Sequence, residues 1–247
     1  MAVDARSTAV SRVMALLSPA EIAELHRVAT ELSCPAATEY RGGRGDGSTA
    51  WRVLYVHAGG AFQARLPATH AKLRAAAVEA DHAGGWGILS GLAPSQWAVR
   101  CAEYHTMARS PGLSDPSHFD EGSLVTVDVM LSRPGVDHDG GAFCTRESDG
   151  TDRIWGRGSW DQGDALVFVS HKPHFVSPVT AGVRQVLVVE FWRGEGRVCP
   201  HRCCTPLPGA CTLTLDSARA HDGAAFEEAF FGAVDMPLLE AAIAALE

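Results

Sequence analysis

Between residues 97 and 192 the apolar residues are spaced for strands rather than helices. Residues 97–104, 124–131, 165–170 and 186–192 are runs rich in β-branched and aromatic side chains, bounded by clusters of Gly, Pro, Asp and Ser. Such runs each have a face to bury, and in the absence of intervening helical sequence they bury it against one another. Helices therefore precede a block of antiparallel-type strands, which predicts an α+β chain whose core is a double-sheet jelly roll, or double-stranded β-helix. No internal repeat is present.

The N-terminal part reads differently. Ser18-Pro19-Ala20-Glu21 forms a capping box with Pro at the first helical position, and Ile22, Leu25, Val28, Ala29 and Leu32 follow at helical spacing. Residues 40–48 hold four glycines and alternating charges, the composition of a loop. Residues 51–56 and 62–66 are expected to be short strands joined by a turn at His57-Ala58-Gly59-Gly60. The Ala-rich residues 67–82 predict a second helix, ended by Gly84-Gly85-Trp86-Gly87. Residues 224–246 return to helical patterning, divided at Pro237. The expected organisation is one domain over 1–247: a helical and β support over 1–96, the jelly-roll core over 97–192, and a Cys-rich loop with C-terminal helices over 193–247.

With 247 residues, 46% hydrophobic and 20% charged, the chain has apolar material for one large core. A net charge of −8 without Lys or Arg runs offers no general attraction to nucleic acid or to acidic membranes, and neither is an expected partner. No apolar stretch reaches the roughly 18 to 20 residues of a membrane span. The first thirty residues lack the pattern of a secretory signal, although their Ala, Ser and Arg content is compatible with an organelle transit segment. Seven cysteines, an odd number without dense even spacing, suggest cytoplasm or another reducing compartment, with Cys101 and Cys144 as core residues.

The chemistry-bearing residues fall within the strand block. His118-Phe119-Asp120 is followed at a distance by His174, and Arg184 lies ten residues beyond it. Residues i and i+2 of a strand share a face, so His118 and Asp120 can point into a barrel while Phe119 packs outward. Two imidazoles and one carboxylate leave open positions on a non-haem Fe(II), although Mn(II) and Zn(II) suit the same donors. Chance pairs such as His138-Asp139, and isolated residues such as His105, show that one His-x-Asp carries little by itself. His171 competes with His174, but the two cannot both face inward on a regular strand, and the Arg184 spacing favours His174. Arg184 opens an apolar run, Val186-Leu187-Val188-Val189, where an unpaired guanidinium is costly and a bound carboxylate would remove the cost.

The ordered set of His118-x-Asp120, Gly140-Gly141-Ala142-Phe143, Gly163-Asp164-Ala165-Leu166-Val167-Phe168, then His174 with Pro178-Val179, Gly182 and Arg184, resembles the prolyl 4-hydroxylase-like branch of the Fe(II)/2-oxoglutarate-dependent dioxygenases over residues 97–192. The resemblance implies that His118, Asp120 and His174 ligate Fe(II) and that Arg184 and Tyr104 hold the far carboxylate of 2-oxoglutarate. It further implies dioxygen as co-substrate, ascorbate as reductant, and hydroxylation of a C–H bond, whether of a peptidyl prolyl or other side chain, of a free amino acid or of another small metabolite. The retained Asp120 favours hydroxylation over halogenation by the same resemblance. A jelly roll that binds metal without catalysis is the contrasting reading. Three features depart from the pattern: residues 106–117 lengthen the gap between Tyr104 and His118, Arg184 stands where collagen-type members carry Lys, and the Gly-Gly turn leads into Cys144-Thr145.

A second signal lies beyond the last strand. Cys199-Pro200-His201-Arg202-Cys203-Cys204 places four soft donors in six residues, ahead of Pro206 and Pro208. Zinc binding, local thiol chemistry and a plain Cys-rich loop are all compatible with it.

Overall fold

The structure, a computed structural model, describes residues 4–34, 37–41 and 51–203. The glycine-rich residues 42–50, Cys204, Cys211 and the helices expected over 224–246 lie outside the described residues. Eleven strands form among the described residues: β1 Ser11–Val13, β2 Thr38–Arg41, β3 Trp51–Tyr55, β4 Trp97–Ala108, β5 Val125–Met130, β6 His138–Gly140, β7 Phe143–Arg146, β8 Asp152–Trp155, β9 Ala165–Val169, β10 His174–Val176 and β11 Val179–Arg193. Three α-helices accompany them: α1 Pro19–Leu32, α2 Ala61–Arg65 and α3 Pro67–Ala83.

A large sheet runs in the order β1-β9-β5-β11-β4-β3-β2, with β6 also pairing β11, and a small sheet runs β10-β7-β8. Every pairing is antiparallel. This is the expected jelly roll.

Both faces of the large sheet are covered, and the period of two sorts its residues between them. Val125, Val127 and Val129 of β5, Ala165 and Val167 of β9, and Leu187, Val189 and Phe191 of β11 pack on the side of the helices, against Ile22, Leu25 and Val28 of α1 and Leu73 and Ala77 of α3. The alternate residues Met130, Leu166, Phe168 and Val186 turn the other way and meet Phe143 and Trp155 of the small sheet. The capping box at Ser18 forms as expected: Ser18 Oγ accepts from the Glu21 backbone, and Glu21 accepts from the Ser18 backbone N–H.

The structure corrects three local expectations, the first being that residues 40 and 41, read as the start of a loop, are the end of β2. Residues 62–66 are not a strand but belong largely to α2, which follows Gly59 and Gly60, both at positive φ. Phe62 and Leu66 are both buried and stand four apart, so a single helical face buries them, and Gln63, Ala64 and Arg65 are good helix formers. The last strand begins at Val179 rather than at 186, so Arg184 sits within it instead of ahead of it.

Candidate metal centre and anion pocket

Pairing register assembles the site. Across the large sheet Arg184 stands opposite Met107, Val186 opposite His105 and Val188 opposite both Glu103 and Asp128. These residues share one face with Glu190 and line a cavity of about 420 Å³. His118, Asp120, His174, Phe143 and Val176 line it as well, with Trp51, Leu113 and Arg202.

The ligand atoms of His118, Asp120 and His174 lie within 4.8 Å of one another. One Asp120 carboxylate oxygen, Oδ1, is 3.5 Å from His118 Nε2 and 3.7 Å from His174 Nε2. The other, Oδ2, accepts from the Thr126 hydroxyl at 2.7 Å, which fixes the plane of the carboxylate. The two imidazoles meet edge to face with centroids 5.0 Å apart. His174 is clamped by the rings of Phe143 and Phe168, and its Nδ1 donates to the Lys172 carbonyl at 2.9 Å, so the Nε2 lone pair is the one left for a ligand. Lys172 is itself fully buried, its ammonium donating to the carbonyls of Arg6 and Thr8 and to Glu147.

The His-x-Asp pair does not lie on a strand, contrary to expectation. It occupies the loop before β5, held by hydrogen bonds from the Asp120 N–H to the Ser170 carbonyl and from the His174 N–H to the His118 carbonyl. The alternation nonetheless holds: Phe119 turns outward, 40% exposed, and its ring meets that of the exposed His171. His171 is thus at the rim and His174 inside.

Burial alone would raise the Asp120 carboxyl. The neighbouring His174 and His118, with the hydrogen bonds from His118 and Thr126, outweigh it and hold the group well below the usual carboxylate range. His174 is shifted down by burial, partly offset by Asp120, and this favours the neutral imidazole that binds metal.

Arg184 is buried deep in the same cavity. Its Nη1 contacts the Met107 sulfur at 3.4 Å, its guanidinium carbon lies 5.4 Å from the centre of the Trp160 ring, and its Nε has no hydrogen-bond partner. Burial pulls it down to about 10, with Asp128 opposing, so it is cationic at neutral pH. Gly141 makes this placement possible: a Cβ there would stand 2.5 Å from Arg184 Cδ, on a backbone at φ +67°. A buried cation with an unused donor is costly unless an anion joins it.

Tyr104 is not part of this pocket. It falls on the helix-facing side of β4, one residue out of phase with Glu103 and His105, and packs in the main core. Its hydroxyl accepts from Gln185 Nε2 at 2.7 Å and turns its proton to His26 Nδ1 at 2.7 Å. Thr145 is buried beside His174 in the pairing of β7 with β10, and its hydroxyl donates to Glu147.

Several cavity residues have a sequence signal that motif reading passes over. Asp128 and Glu190 are ionisable residues at inward positions of otherwise apolar strands, Val125-Thr126-Val127-Asp128-Val129 and Val188-Val189-Glu190-Phe191. Burial first, and Asp120 second, push both carboxyls up, against Arg184 in one case and Arg202 in the other. Glu103 and His105 form a bonded pair at 2.8 Å, with Trp51 donating to the other nitrogen of His105.

No protein-family model matches the sequence, and no curated protein matches it significantly. Solved structures do. SnoN, a non-heme alpha-ketoglutarate-dependent epimerase from nogalamycin biosynthesis, is 17% identical with a TM-score of 0.57, covering 83% of this chain and 88% of its own. An oxidoreductase of the 2OG-Fe(II) oxygenase family from Burkholderia pseudomallei is 17% identical with a TM-score of 0.51, covering 79% and 88%. A prolyl hydroxylase from Trichoplax adhaerens, in complex with a peptide fragment of hypoxia inducible factor, is 16% identical with a TM-score of 0.50, covering 74% and 83%. The chain therefore has the jelly-roll fold of these oxygenases.

Proposed function

We propose that the protein is a non-haem Fe(II)- and 2-oxoglutarate-dependent oxygenase that hydroxylates a C–H bond, with His118, Asp120 and His174 as metal ligands and Arg184 as the anchor of the oxo acid. The observation that carries this reading is the buried Arg184 guanidinium, whose Nε lacks a partner, in the same cavity as three clustered metal donors.

The residues fit both groups. Two imidazoles and a carboxylate are the donors non-haem Fe(II) takes while keeping positions open, and the Arg184 fork matches a carboxylate. When bound, iron would activate dioxygen as the oxidant, and the oxo acid would give up two electrons as it becomes succinate and carbon dioxide, leaving the other two to come from an unactivated C–H bond that is hydroxylated. The chain's own residues position and protect. Thr126 fixes Asp120, the Lys172 carbonyl fixes the His174 tautomer, and Arg184 with Gly141 gives the far carboxylate one orientation. Phe143, Phe168, Val186 and Val188 keep the inner wall dry.

A cavity of about 420 Å³ has room for the oxo acid together with one side chain or a small metabolite. The Trp51, Glu103 and His105 wall supplies an aromatic face and a polar pair for orienting that group. A peptidyl side chain such as proline and a free amino acid or similar metabolite both suit this wall; the Trichoplax prolyl hydroxylase structure holds a peptide fragment, which supports the first. Ascorbate is assigned as the reductant that returns the metal to the ferrous state.

Succinate formation from 2-oxoglutarate with Fe(II), ascorbate and air, measured against a panel of proline-containing peptides and small metabolites, tests the assignment. The expected result is substrate-stimulated succinate with a product heavier by one oxygen atom. A jelly roll that only binds metal would give neither, and turnover independent of 2-oxoglutarate would overturn the role of Arg184.

A further inference from the structure

Beyond β11 the chain leaves the sheet but stays pinned to it. The Arg197 N–H donates to the Val99 carbonyl, the Gly59 N–H to the Val198 carbonyl, and Arg100 Nε to the Cys203 carbonyl at 2.7 Å. Within this irregular strap, Cys199, His201 and Cys203 bring their ligand atoms within 4.8 Å of one another. Cys199 and Cys203 are 3% and 0% exposed. The buried His57 ring lies beside His201 and accepts the Ala102 N–H through Nδ1, fastening this region to β4.

We infer that Cys199, His201 and Cys203 form a second metal site, for Zn(II), which fastens the strap that carries Arg202 to the wall of the oxygenase cavity. Thiolate and imidazole are the side chains that hold structural zinc, three of the usual four being present here, and their softness selects against Mg(II) and Ca(II). Zinc bound at ~2.3 Å from sulfur and ~2.0 Å from nitrogen holds tetrahedral donors about 3.6 to 3.8 Å apart, so a small inward movement closes the observed cluster. A fourth position is open to water or a further side chain. The spacing is also apt, since donors at every second residue leave the intervening Arg202 to point elsewhere.

Arg202 uses that freedom. Its guanidinium donates to both oxygens of the buried Glu190 at 2.7 and 2.9 Å, and to the Glu121 carbonyl at 3.0 Å, one residue past Asp120. It also lines the cavity. Glu190 also has Arg100 of β4 at 3.5 Å, but its shorter ion pair comes from a segment outside the sheet, and metal donors on either side of Arg202 would hold that segment in place. This inference is independent of the oxygenase assignment, because it rests on other donors.

Full-length His118→Ala/Asp120→Ala protein, whose first donor set is removed, loaded with zinc and dialysed into metal-free buffer should retain one zinc per chain by elemental mass spectrometry. Adding the exposed-thiol control Cys34→Ser should leave that zinc in place, and adding Cys199→Ser/Cys203→Ser should lose it. Retention of a full equivalent in the variant that also carries both serines overturns the site, as does His118→Ala/Asp120→Ala protein that holds no zinc or carries a Cys199–Cys203 disulfide. Should the serine variant fail to fold, one equivalent of Co(II) in the His118→Ala/Asp120→Ala protein decides the matter. A thiolate-to-cobalt charge-transfer band is expected, and its absence refutes the assignment.

Discussion

Adjacent residues of β11 face two different worlds. Leu187, Val189 and Phe191 look toward the helices and pack in the main apolar core, whereas Arg184, Val186, Val188 and Glu190 look into a cavity that also receives Asp120, Asp128, Glu103 and His174. One backbone carries both sets, so the ladder that holds the fold together is also the ruler that spaces the site. The helix side gains stability from dry packing, and the cavity side gives some of it up by burying charges whose partners are incomplete. Function and stability should therefore separate by parity along the strand.

Breaking the cavity side at its ligand has the largest expected effect. His174→Ala should remove iron retention and succinate formation altogether while leaving the unfolding transition cooperative, measured by iron analysis and thermal denaturation. On the helix side, Leu187→Ala should cost about 2–5 kcal/mol of stability in urea, with the affinity for 2-oxoglutarate unchanged in whatever fraction stays folded. Arg184→Met sharpens the contrast because it should move the two properties in opposite directions. Loss of a charge-assisted pair worth about 1.5–3 kcal/mol weakens oxo-acid binding roughly 10- to 150-fold, and removal of the incompletely paired guanidinium leaves the unliganded protein as stable or more so. Calorimetric titration and a melting curve on one sample report both. The smallest effect belongs to Tyr104→Phe, which gives up the hydrogen bonds to His26 and Gln185 for a loss of about 1 kcal/mol. Its oxo-acid affinity should equal wild type, and a tenfold loss would return Tyr104 to the anion pocket.

The sequence carried much of this, unevenly. The jelly roll, α1 with its capping box and α3 follow from period and composition, which act locally and survive in one dimension. The grouping of His118, Asp120 and His174, and the burial of Arg184, were legible because their spacing relative to Gly and Pro landmarks reflects the register of the sheets. Tyr104 misled for a reason of phase: resemblance fixed its neighbourhood, but the pairing Val188↔Glu103 puts the odd residues of β4 toward the cavity and sends Tyr104 to the helices. The strand expected at 62–66 failed because five apolar-polar residues fit either period, and the glycines ahead of them settle the choice. Asp128, Glu190 and Arg202 stayed hidden since their roles come from contacts between segments distant in sequence.

Lys172 ties the very start of the described chain to His174, the proposed metal ligand, two residues later. Its ammonium has no solvent contact and spends itself on the carbonyls of Arg6 and Thr8 and on Glu147, while its own carbonyl orients His174. Trimming the polypeptide past Thr8 would leave that ammonium with Glu147 alone and loosen the backbone that orients the imidazole, so proteolytic clipping at the amino end should register as slackened grip on iron before any global melting is seen.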